Sequence, residues 1–235
     1  MPKGIVLSSG GVDSTTCLSL AVNELGAQNV TSVSMFYGQK HNKELEAATA
    51  IAERLGVRHI ELDLSKIFQY SNCSLLKHST EDIPEGDYAE QIGRAENGMV
   101  STYVPFRNGL FLSTAASLAV SLYPNEKVYL YIGAHADDAA GNAYADCSTA
   151  FCYAMTEAIR IGTYGNVQVI APLVEMNKAQ VVSKGLELSA PYELTWSCYE
   201  GGDKPCGKCG TCIDRAKAFE ANGVADPALD KEVDS

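Results

Sequence analysis

Long hydrophobic runs and clusters of basic residues are both missing from this sequence. No apolar run reaches the roughly 18 residues that cross a bilayer, so no membrane segment is expected. Lysine and arginine number 18 against 29 acidic residues, which leaves a net charge of −11. Because a broad nucleic-acid-binding face needs clustered Lys and Arg, this balance argues against a nucleic-acid partner.

A secretion signal and a disulfide framework are not expected either. Only three residues precede the first apolar strand pattern at Gly4, so we expect no signal peptide and a cytoplasmic location. The eight cysteines are then expected to be reduced thiols. The 235 residues, 46% of them apolar, fit one large α/β domain with at most a small appendage.

The most informative stretch is Gly4–Leu20, GIVLSSGGVDSTTCLSL. It predicts a buried strand (Gly4–Leu7), a turn of small residues (Ser8–Asp13) and a helix from Ser14. The adjacent glycines allow a sharp turn, and the N–H groups of the turn and helix start favour a phosphate. The turn lacks the Lys-Ser/Thr of a Walker loop and the GxGxxG pattern. A tight strand–helix turn with serine caps is the alternative interpretation.

Strands and helices alternate along the chain, which predicts parallel βαβ units in a doubly wound α/β fold. The later predicted strands are Val30–Tyr37, Arg58–Leu62, Lys127–Ile132 and Val167–Ile170. The predicted helices are Ser14–Leu25, Glu44–Leu55, Asn108–Leu122, Thr149–Ile161 and Asn177–Leu188. The loops expected to meet at the ligand-binding edge of the sheet are Ser8–Ser14, Tyr37–His41 and Gly133–Cys147.

The sequence divides into four predicted parts. The α/β domain covers residues 1–190, and within it residues 66–99 lack clear helix or strand patterns and are interpreted as a lid or a poorly ordered insert. Residues 191–221 are predicted to form a zinc-binding segment and a final helix. Residues 222–235 are acidic and poor in apolar side chains, so we expect a frayed tail.

Four cysteines follow a C-x7-C-x2-C-x2-C spacing, namely Cys198, Cys206, Cys209 and Cys212. Each C-x2-C step lets two thiolates reach one metal, so the cluster predicts a closed, structural Zn²⁺ site. A redox pair is the alternative for a single C-x2-C. Cys147, beside Asp146, is either a catalytic thiol or a packing residue.

The SGGVDS turn resembles the pyrophosphate loop of the N-type ATP pyrophosphatases, also called PP-loop proteins. Together with the cysteine cluster and further motifs, the chain to about Phe219 resembles the 7-cyano-7-deazaguanine synthase family. The further motifs are Thr102–Asn108 (TYVPFRN), Gly133–Asp138 (GAHADD), Tyr144–Cys147 (YADC), Pro172–Lys178 (PLVEMNK), Thr195–Tyr199 (TWSCY) and Cys206–Arg215 (CGKCGTCIDR). Two positions depart from the family pattern, Phe106 for a frequent Gly and Ala145 for a usual Pro.

The resemblance implies an ATP-dependent ligase with a Rossmann-like fold. Its substrates would be 7-carboxy-7-deazaguanine and ammonia, and Mg²⁺ would accompany ATP. The carboxylate would be adenylated, ammonia would give an amide, and a second activation would give the nitrile. Free ammonia is the expected donor, since no glutaminase unit is recognisable, and a homodimer is the expected assembly.

The resemblance also implies roles for particular residues. The candidate catalytic residues are Asp13, Ser14, Arg107 and Lys178. The candidate ATP-binding residues are Ser8, Ser9, Gly10, Gly11, Val12, Asp13, Ser14, Thr15, Thr16, Cys17 and Leu18. The candidate substrate contacts are Asn108, Asp137, Asp138 and Asp146.

Most of these side chains also have a structural interpretation. Arg107 could form a salt bridge at a helix start, and Lys178 could be a solvated helix residue. Asp137 and Asp138 could ligate Mg²⁺, accept hydrogen bonds from a guanine-like edge, or cap a turn. Weaker candidates for ligand contact, which could equally pack within the protein, are His41, His135, Trp196 and Tyr199.

Three other functions remain open from the sequence. A PP-loop enzyme that thiolates tRNA would need a basic surface and a catalytic cysteine pair, against which the net charge and the zinc cysteines argue. A ligase that amidates another carboxylic acid would share the adenylation chemistry. A nucleotide-binding or zinc-ribbon interaction module would bind nucleotide without releasing pyrophosphate.

Overall fold

The computed structural model describes residues 1–94, 99–139 and 144–229, and it contains a five-stranded parallel sheet. The strands are β1 (Lys3–Leu7), β2 (Val30–Phe36), β3 (Arg58–Asp63), β4 (Val128–Tyr131) and β5 (Val167–Ile170). Their order across the sheet is β3-β2-β1-β4-β5, and every pair is parallel. The predicted doubly wound α/β fold is therefore confirmed.

The helices follow the predicted order, with boundaries that differ by one or two residues. They are α1 (Val12–Leu25), α2 (Lys43–Arg54), α3 (Ser65–Phe68), α4 (Tyr88–Arg94), α5 (Arg107–Leu122), α6 (Ala136–Ala139), α7 (Thr149–Gly162), α8 (Lys178–Glu187) and α9 (Gly210–Ala221). Helix α8 begins with a capping box, in which the Asn177 side chain accepts from the N–H of Gln180 and the Gln180 side chain accepts from the N–H of Asn177. The short helices α3, α4 and α6 have no counterpart in the sequence prediction.

The sheet is buried on both faces, as a parallel sheet with helical crossovers requires. Alternate residues of β1 enter opposite layers of the core. Ile5 packs on the layer that includes α5 and α7, and Val6 packs on the layer that includes α1, α2 and α8. Both side chains are fully buried. The rigid sheet therefore fixes where the turn after β1 begins.

The strand order reverses beside β1. The chain moves from β1 to β2 and β3 on one side and then returns to place β4 on the other side. Ligands of open α/β sheets bind at such a switch point, outside the carboxyl ends of the strands. The turn after β1 and the loop after β4 both lie at this point.

The described part of the predicted lid, residues 66–94 and 99, packs against the C-terminal cysteines. Leu75, Leu76 and Ile83 are buried in one cluster with Cys198 and Cys209. The Gly86 N–H also donates to the Lys208 carbonyl at 3.0 Å. A lid function stays a prediction, and residues 95–98 lie outside the described ranges.

The prediction of a frayed tail is wrong for residues 222–229, which the structure shows held against helix α9. Arg215 on α9 binds Asp226 through both carboxylate oxygens, at 2.5 and 2.7 Å, and both side chains are buried. A bidentate Arg–carboxylate pair orders this segment although it has few apolar side chains. Residues 230–235 lie outside the description. Among the described helices, none is long and apolar enough to cross a membrane.

Candidate active site

The glycine turn, Ser8–Asp13, links β1 to α1 at the switch point. Gly10 has a φ of +80°, a conformation that favours glycine. A Cβ at Gly10 would collide with the carbonyl oxygen of Glu44 in the first turn of α2. The space beside Gly10 is thus occupied by a neighbouring helix. Gly11 lines the cavity, and a Cβ added to Gly11 would lie no closer than 3.5 Å to another atom.

Serine side chains brace the turn from inside. The Ser14 Oγ accepts from the Ser9 N–H at 3.1 Å and lies 3.2 Å from the Gly11 carbonyl. Gly11 is the N-cap of α1 and supplies no side-chain cap to the helix. The N-terminus of α1 therefore keeps the partial positive charge and the N–H groups that attract an anion.

A cavity of about 210 Å³ opens beside this turn. The three loops that were expected to meet all contribute to its wall, through residues such as Ser9, Tyr37 and His135. Residues from α5, α8 and the C-terminal segment complete it, including Arg107, Lys178 and Ser197. One enclosure thus unites the glycine turn with side chains from distant parts of the chain.

Lys178 and Asp13 form an ion pair at one end of the cavity. The Lys178 Nζ lies 2.5 Å from Asp13 Oδ2 and 3.4 Å from His135 Nε2. Burial by itself would raise the pKa of Asp13, but Lys178 and His135 lower it overall. Burial opposes the charge on Lys178, yet Asp13 raises its pKa. Lys178 is therefore a partly buried cation in the cavity wall, and not the solvated helix residue of the alternative interpretation.

His135 and Asp138 extend this cluster. The His135 Nε2 lies 3.3 Å from Asp138 Oδ1 and 3.7 Å from Asp13 Oδ1. Burial raises the pKa of Asp138, with His135 and Lys178 acting against the shift. The cluster combines a cation, two carboxyl groups and an imidazole, a set that can hold phosphate oxygens and a divalent cation.

Arg107 is the second cation of the cavity. Its guanidinium carbon lies 5.4 Å from the centroid of the Tyr37 ring and 6.0 Å from that of Phe111. Burial by itself would lower its pKa, but the phenolic groups of Tyr37 and Tyr199 raise it overall. Within the described ranges no carboxylate forms an ion pair with Arg107, so the predicted alternative of a helix-start salt bridge is not found there.

The predicted substrate contacts separate into two groups. Asn108 and Asp138 line the cavity. Asp137 accepts from the Lys178 N–H at 2.7 Å, and Asp146 accepts from the Asn108 N–H at 2.9 Å. Asp137 and Asp146 therefore orient the starts of α8 and α5, which carry Lys178 and Arg107.

The predicted ATP-binding residues separate in the same way. Those that line the cavity are Ser8, Ser9, Gly11, Asp13 and Ser14. The others pack within the fold, namely Gly10, Val12, Thr15, Thr16, Cys17 and Leu18. The Thr16 hydroxyl, for example, hydrogen-bonds the Tyr192 hydroxyl at 2.6 Å. A helix presents only its first turn to a ligand at its end, so this division follows from geometry.

Sequence reasoning missed several residues of the cavity wall. Tyr88 and Tyr144 pack edge to face with ring centroids 5.5 Å apart, and the Tyr88 hydroxyl lies 3.0 Å from that of Tyr199. Glu44 and Asp214 were also missed. These residues come from separate elements, so no local spacing could have grouped them. Trp196 and Tyr199, weaker candidates from the sequence, do line the cavity.

Two other sequence candidates have packing partners. The His41 Nε2 lies 3.0 Å from the Cys198 carbonyl oxygen, so the ring supports the cysteine loop. Cys147 lines the cavity, and the Asn108 amide donates to its sulfur at 3.2 Å. Burial raises the pKa of the Cys147 thiol, which disfavours the thiolate that a nucleophile needs.

The four C-terminal cysteines converge. Their sulfur atoms all lie within 4.8 Å of one another. The N–H groups of Lys208 and Cys209 each donate to the Cys206 sulfur at 3.4 Å. Such donors stabilise negative charge on sulfur. The cluster could therefore hold one metal ion in a four-thiolate shell.

The structure shows the conformation and the contacts of the two residues that depart from the family pattern, Phe106 and Ala145. Phe106 has a φ of +53°, in the left-handed region where glycine is unstrained. Its ring packs over Gly109 and lies edge to face with Phe151, at 6.0 Å between centroids. Ala145 is the exposed first residue of a short 3₁₀ turn, Ala145–Cys147. A proline is compatible with this position because the preceding Tyr144 is extended.

This fold and this site define the class of α/β proteins that carry a PP-loop at the first strand. The solved structure of NMN synthetase from Francisella tularensis shares the fold, with a TM-score of 0.51 at 13% identity over 95% of this chain and 78% of that one. The family model described as queuosine biosynthesis protein QueC matches residues 3–223.

Curated relatives match the chain over nearly its whole length. The 7-cyano-7-deazaguanine synthase of Archaeoglobus fulgidus is 42% identical over 98% of this chain and 91% of its own length. The enzyme of the same name from Pseudoalteromonas atlantica is 41% identical over 96% of this chain and 97% of its own. The chain belongs to the QueC family of 7-cyano-7-deazaguanine synthases, and it is an enzyme of queuosine biosynthesis.

Proposed function

We propose that this chain converts 7-carboxy-7-deazaguanine and ammonia into 7-cyano-7-deazaguanine in the cytoplasm, with ATP as the activating reagent. The observation that carries the proposal is the cavity itself. It joins the glycine turn to two partly buried cations, Arg107 and Lys178, in a chain whose relatives carry the name of this product. A carboxylate is inert to ammonia, so a site for its activation is what the chemistry requires.

In the first step, a carboxylate oxygen of the substrate attacks the α-phosphorus of ATP and pyrophosphate leaves. The product of this step is an acyl-adenylate. The N–H groups at the glycine turn and the hydroxyls of Ser9 and Ser14 hold the departing pyrophosphate. Arg107 and Lys178 balance the charge that develops on the phosphate oxygens. Positioning of the two reactants supplies much of the remaining acceleration.

Asp13 fits a second role at this step. Its Oδ1 is buried and has no hydrogen-bond partner among the described residues. Carboxylate oxygens are the ligands that Mg²⁺ prefers, so Asp13 would hold Mg²⁺ that arrives with ATP. When bound, the cation would neutralise phosphate charge.

Ammonia then attacks the acyl carbon, AMP leaves, and loss of a proton yields the amide. In a second round the amide oxygen attacks the α-phosphorus of another ATP and displaces pyrophosphate. Loss of AMP and of the remaining N–H protons leaves the nitrile. Both rounds begin with oxygen attacking phosphorus, so one cavity serves both.

Two further features complete the proposal. Zn²⁺ is the metal that four thiolates favour, and Cys198, Cys206, Cys209 and Cys212 would form a closed structural shell with no position for water. The chain would act as a homodimer. Support for this comes from α7, whose outer face exposes Tyr153 and Ile161.

The test is to incubate the protein with ATP, Mg²⁺, ammonium and 7-carboxy-7-deazaguanine and to follow the base by mass spectrometry. We expect the nitrile mass to replace the carboxylate mass, and pyrophosphate to be released. Lys178→Met should reduce this rate by about 10²-fold or more, because it removes transition-state charge stabilisation. Lys184→Met, a more exposed substitution on the same helix, is the matched control. Nucleotide turnover only with other carboxylic acids would refute the proposal.

A further inference from the structure

Carboxyl groups in the cavity differ in whether they have partners. Among the described residues, Asp13, Glu44, Asp138 and Asp214 line the cavity. Asp13 pairs with Lys178, and Asp138 lies against His135. The side-chain carboxyl groups of Glu44 and Asp214 form no ion pair within residues 1–94, 99–139 and 144–229, and no side-chain hydrogen bond is found for them there. Both residues are half-buried, and a carboxyl group that is partly withdrawn from water and has no partner is available to bind a ligand.

Glu44 is held on a rigid support. It lies in the first turn of α2, where its carbonyl oxygen occupies the space that a Cβ at Gly10 would fill. Leu45 and Ala48 bury the same helix against the core. The glycine turn therefore fixes the backbone position of Glu44, and with it the place from which its carboxyl group extends.

The surroundings of Glu44 suit a flat heteroaromatic ring. The rings of Tyr37 and Phe111 line the cavity with it, with their centroids 5.9 Å apart. Arg107 lies over both rings. Burial raises the pKa of Glu44 to about 7, and the charge of Arg107 acts against this shift. Near neutral pH the Glu44 carboxyl group is thus present both as a carboxylate, which accepts hydrogen bonds, and as a protonated acid, which can also donate one.

Asp214 also lines the cavity, but the charges that act on it differ from those that act on Glu44. Burial raises its pKa, and the charges that act against the shift come from Lys178 and Lys217. Lys178 is the partner of Asp13 at the phosphate-binding turn. Glu44 is therefore the unpaired carboxyl group that interacts with Tyr37 and Arg107.

We propose that Glu44 is the specificity-determining residue for the base, and that its carboxylate accepts hydrogen bonds from the adjacent N1–H and 2-amino group of a guanine-like ligand. This inference rests on the proposed function. Two neighbouring N–H donors match the two oxygens of a carboxylate. In 7-carboxy-7-deazaguanine this edge lies on the six-membered ring and the carboxyl group on the five-membered ring, so Glu44 can hold one while the other reaches the α-phosphorus.

Two other carboxyl groups could in principle meet the guanine-like edge. They are Asp137 and Asp138, which the sequence also offers for this contact. The Asp137 carboxylate accepts from the Lys178 N–H, and Asp138 Oδ1 lies 3.3 Å from His135 Nε2. Both carboxyl groups have partners within the protein that Glu44 lacks.

The experiment compares two bases in the full-length protein. One is 7-carboxy-7-deazaguanine, and the other is its analogue without the 2-amino group. Michaelis constants for both are measured with the parent protein, Glu44→Gln and Glu44→Ala. Glu46→Gln is the matched control, since Glu46 is exposed on the same helix. The dissociation constant of ATP is measured in parallel for each protein.

We expect the parent protein to prefer the 2-amino base by about 10- to 100-fold in kcat/KM, as hydrogen bonds to a charged group allow. Glu44→Gln and Glu44→Ala should raise KM for this base by a similar factor and leave KM for the analogue nearly unchanged. ATP affinity should stay within about twofold in every variant, and Glu46→Gln should behave as the parent.

Several outcomes would overturn the assignment while leaving the proposed function intact. One is turnover of both bases with equal efficiency by the parent protein, a result that needs no variant to fold. Another is an equal loss on both bases in Glu44→Gln, with weaker ATP binding or a higher KM for ammonium. Failure of the parent protein to convert 7-carboxy-7-deazaguanine would instead refute the proposed function, and the assignment would fall with it.

Discussion

The glycine turn and the C-terminal segment, residues 195–226, line the same cavity but are held by different forces. The turn follows a strand that is buried from Gly4 to Leu7, and it precedes a helix packed in the core. Between residues 195 and 209 the C-terminal segment has no helix and no strand longer than a single bridge. It is held by four converging thiols, the Arg215–Asp226 pair and hydrogen bonds such as Thr211 to the Ser197 carbonyl. Hydrophobic burial spreads stability over many contacts, whereas the segment depends on a few groups.

Among the predicted changes, removal of the metal site should destabilise the C-terminal segment the most. Cys209→Ser should abolish binding of one metal ion per chain and lower the free energy of unfolding by at least ~4 kcal/mol, because metal binding supplies folding energy directly. Metal content by atomic spectroscopy and unfolding in urea measure the two quantities. Cys152→Ala, a buried cysteine outside the cluster, is the control and should keep its metal. Full metal content in Cys209→Ser would contradict a four-thiolate site.

Loss of the buried ion pair should come next. Asp226→Asn leaves Arg215 buried without its charged partner, and removal of one partner of such a pair costs about 3–5 kcal/mol. Urea unfolding measures the loss. Because Arg215 also donates to the Ser197 hydroxyl at 3.2 Å, ATP affinity should fall as well. A matched substitution at an exposed acid, Glu187→Gln, should change neither quantity measurably. An Asp226→Asn protein as stable as its parent would mean that the pair does not hold the segment.

The glycine turn should tolerate substitution less well than its small size suggests. Gly10→Ala adds a methyl group where α2 already lies, at a positive φ, and should cost about 2–4 kcal/mol. Gly56→Ala is a matched control, because Gly56 also has a positive φ and has no atom within 4 Å of the added Cβ. It should cost only the backbone strain, about 1–2 kcal/mol. Thermal or urea unfolding of both variants isolates the contact with α2, and equal losses would show that this contact is unimportant.

The pH dependence of stability should show the smallest effect. Burial raises the pKa of Glu44 from 4.5 to about 7. Between these values the folded state binds more protons than the unfolded state, so stability falls as pH rises through this window. The contribution is on the order of 2–3 kcal/mol, and it should vanish in Glu44→Gln. The measurement is the difference in unfolding free energy between parent and variant from pH 4.5 to pH 8. A difference independent of pH would contradict the shift.

Local patterns in the sequence predicted much of the scaffold. The apolar run before Ser8 and the adjacent glycines identified the strand, the turn and the helix. The spacing of the four cysteines identified a cluster that the structure brings within 4.8 Å. Each of these signals lies within about 20 residues of chain, where spacing translates directly into geometry.

The contacts that complete the site could not be predicted in this way. Asp13 and Lys178 are 165 positions apart, and only the strand order brings their helices together. The prediction of a frayed tail is wrong at Asp226 because its buried ion pair with Arg215 holds the segment in place despite its polar composition. Glu44 was overlooked because a carboxyl group on a helix is usually solvated.

By itself, the sequence determined the parallel α/β class, the position of the glycine turn and the cysteine cluster. Hydrophobic period, glycine and cysteine spacing act between near neighbours in the chain. The tertiary structure decided which charges are paired and which are left for a ligand. That distinction depends on distances between elements far apart in sequence and on how much water remains between them.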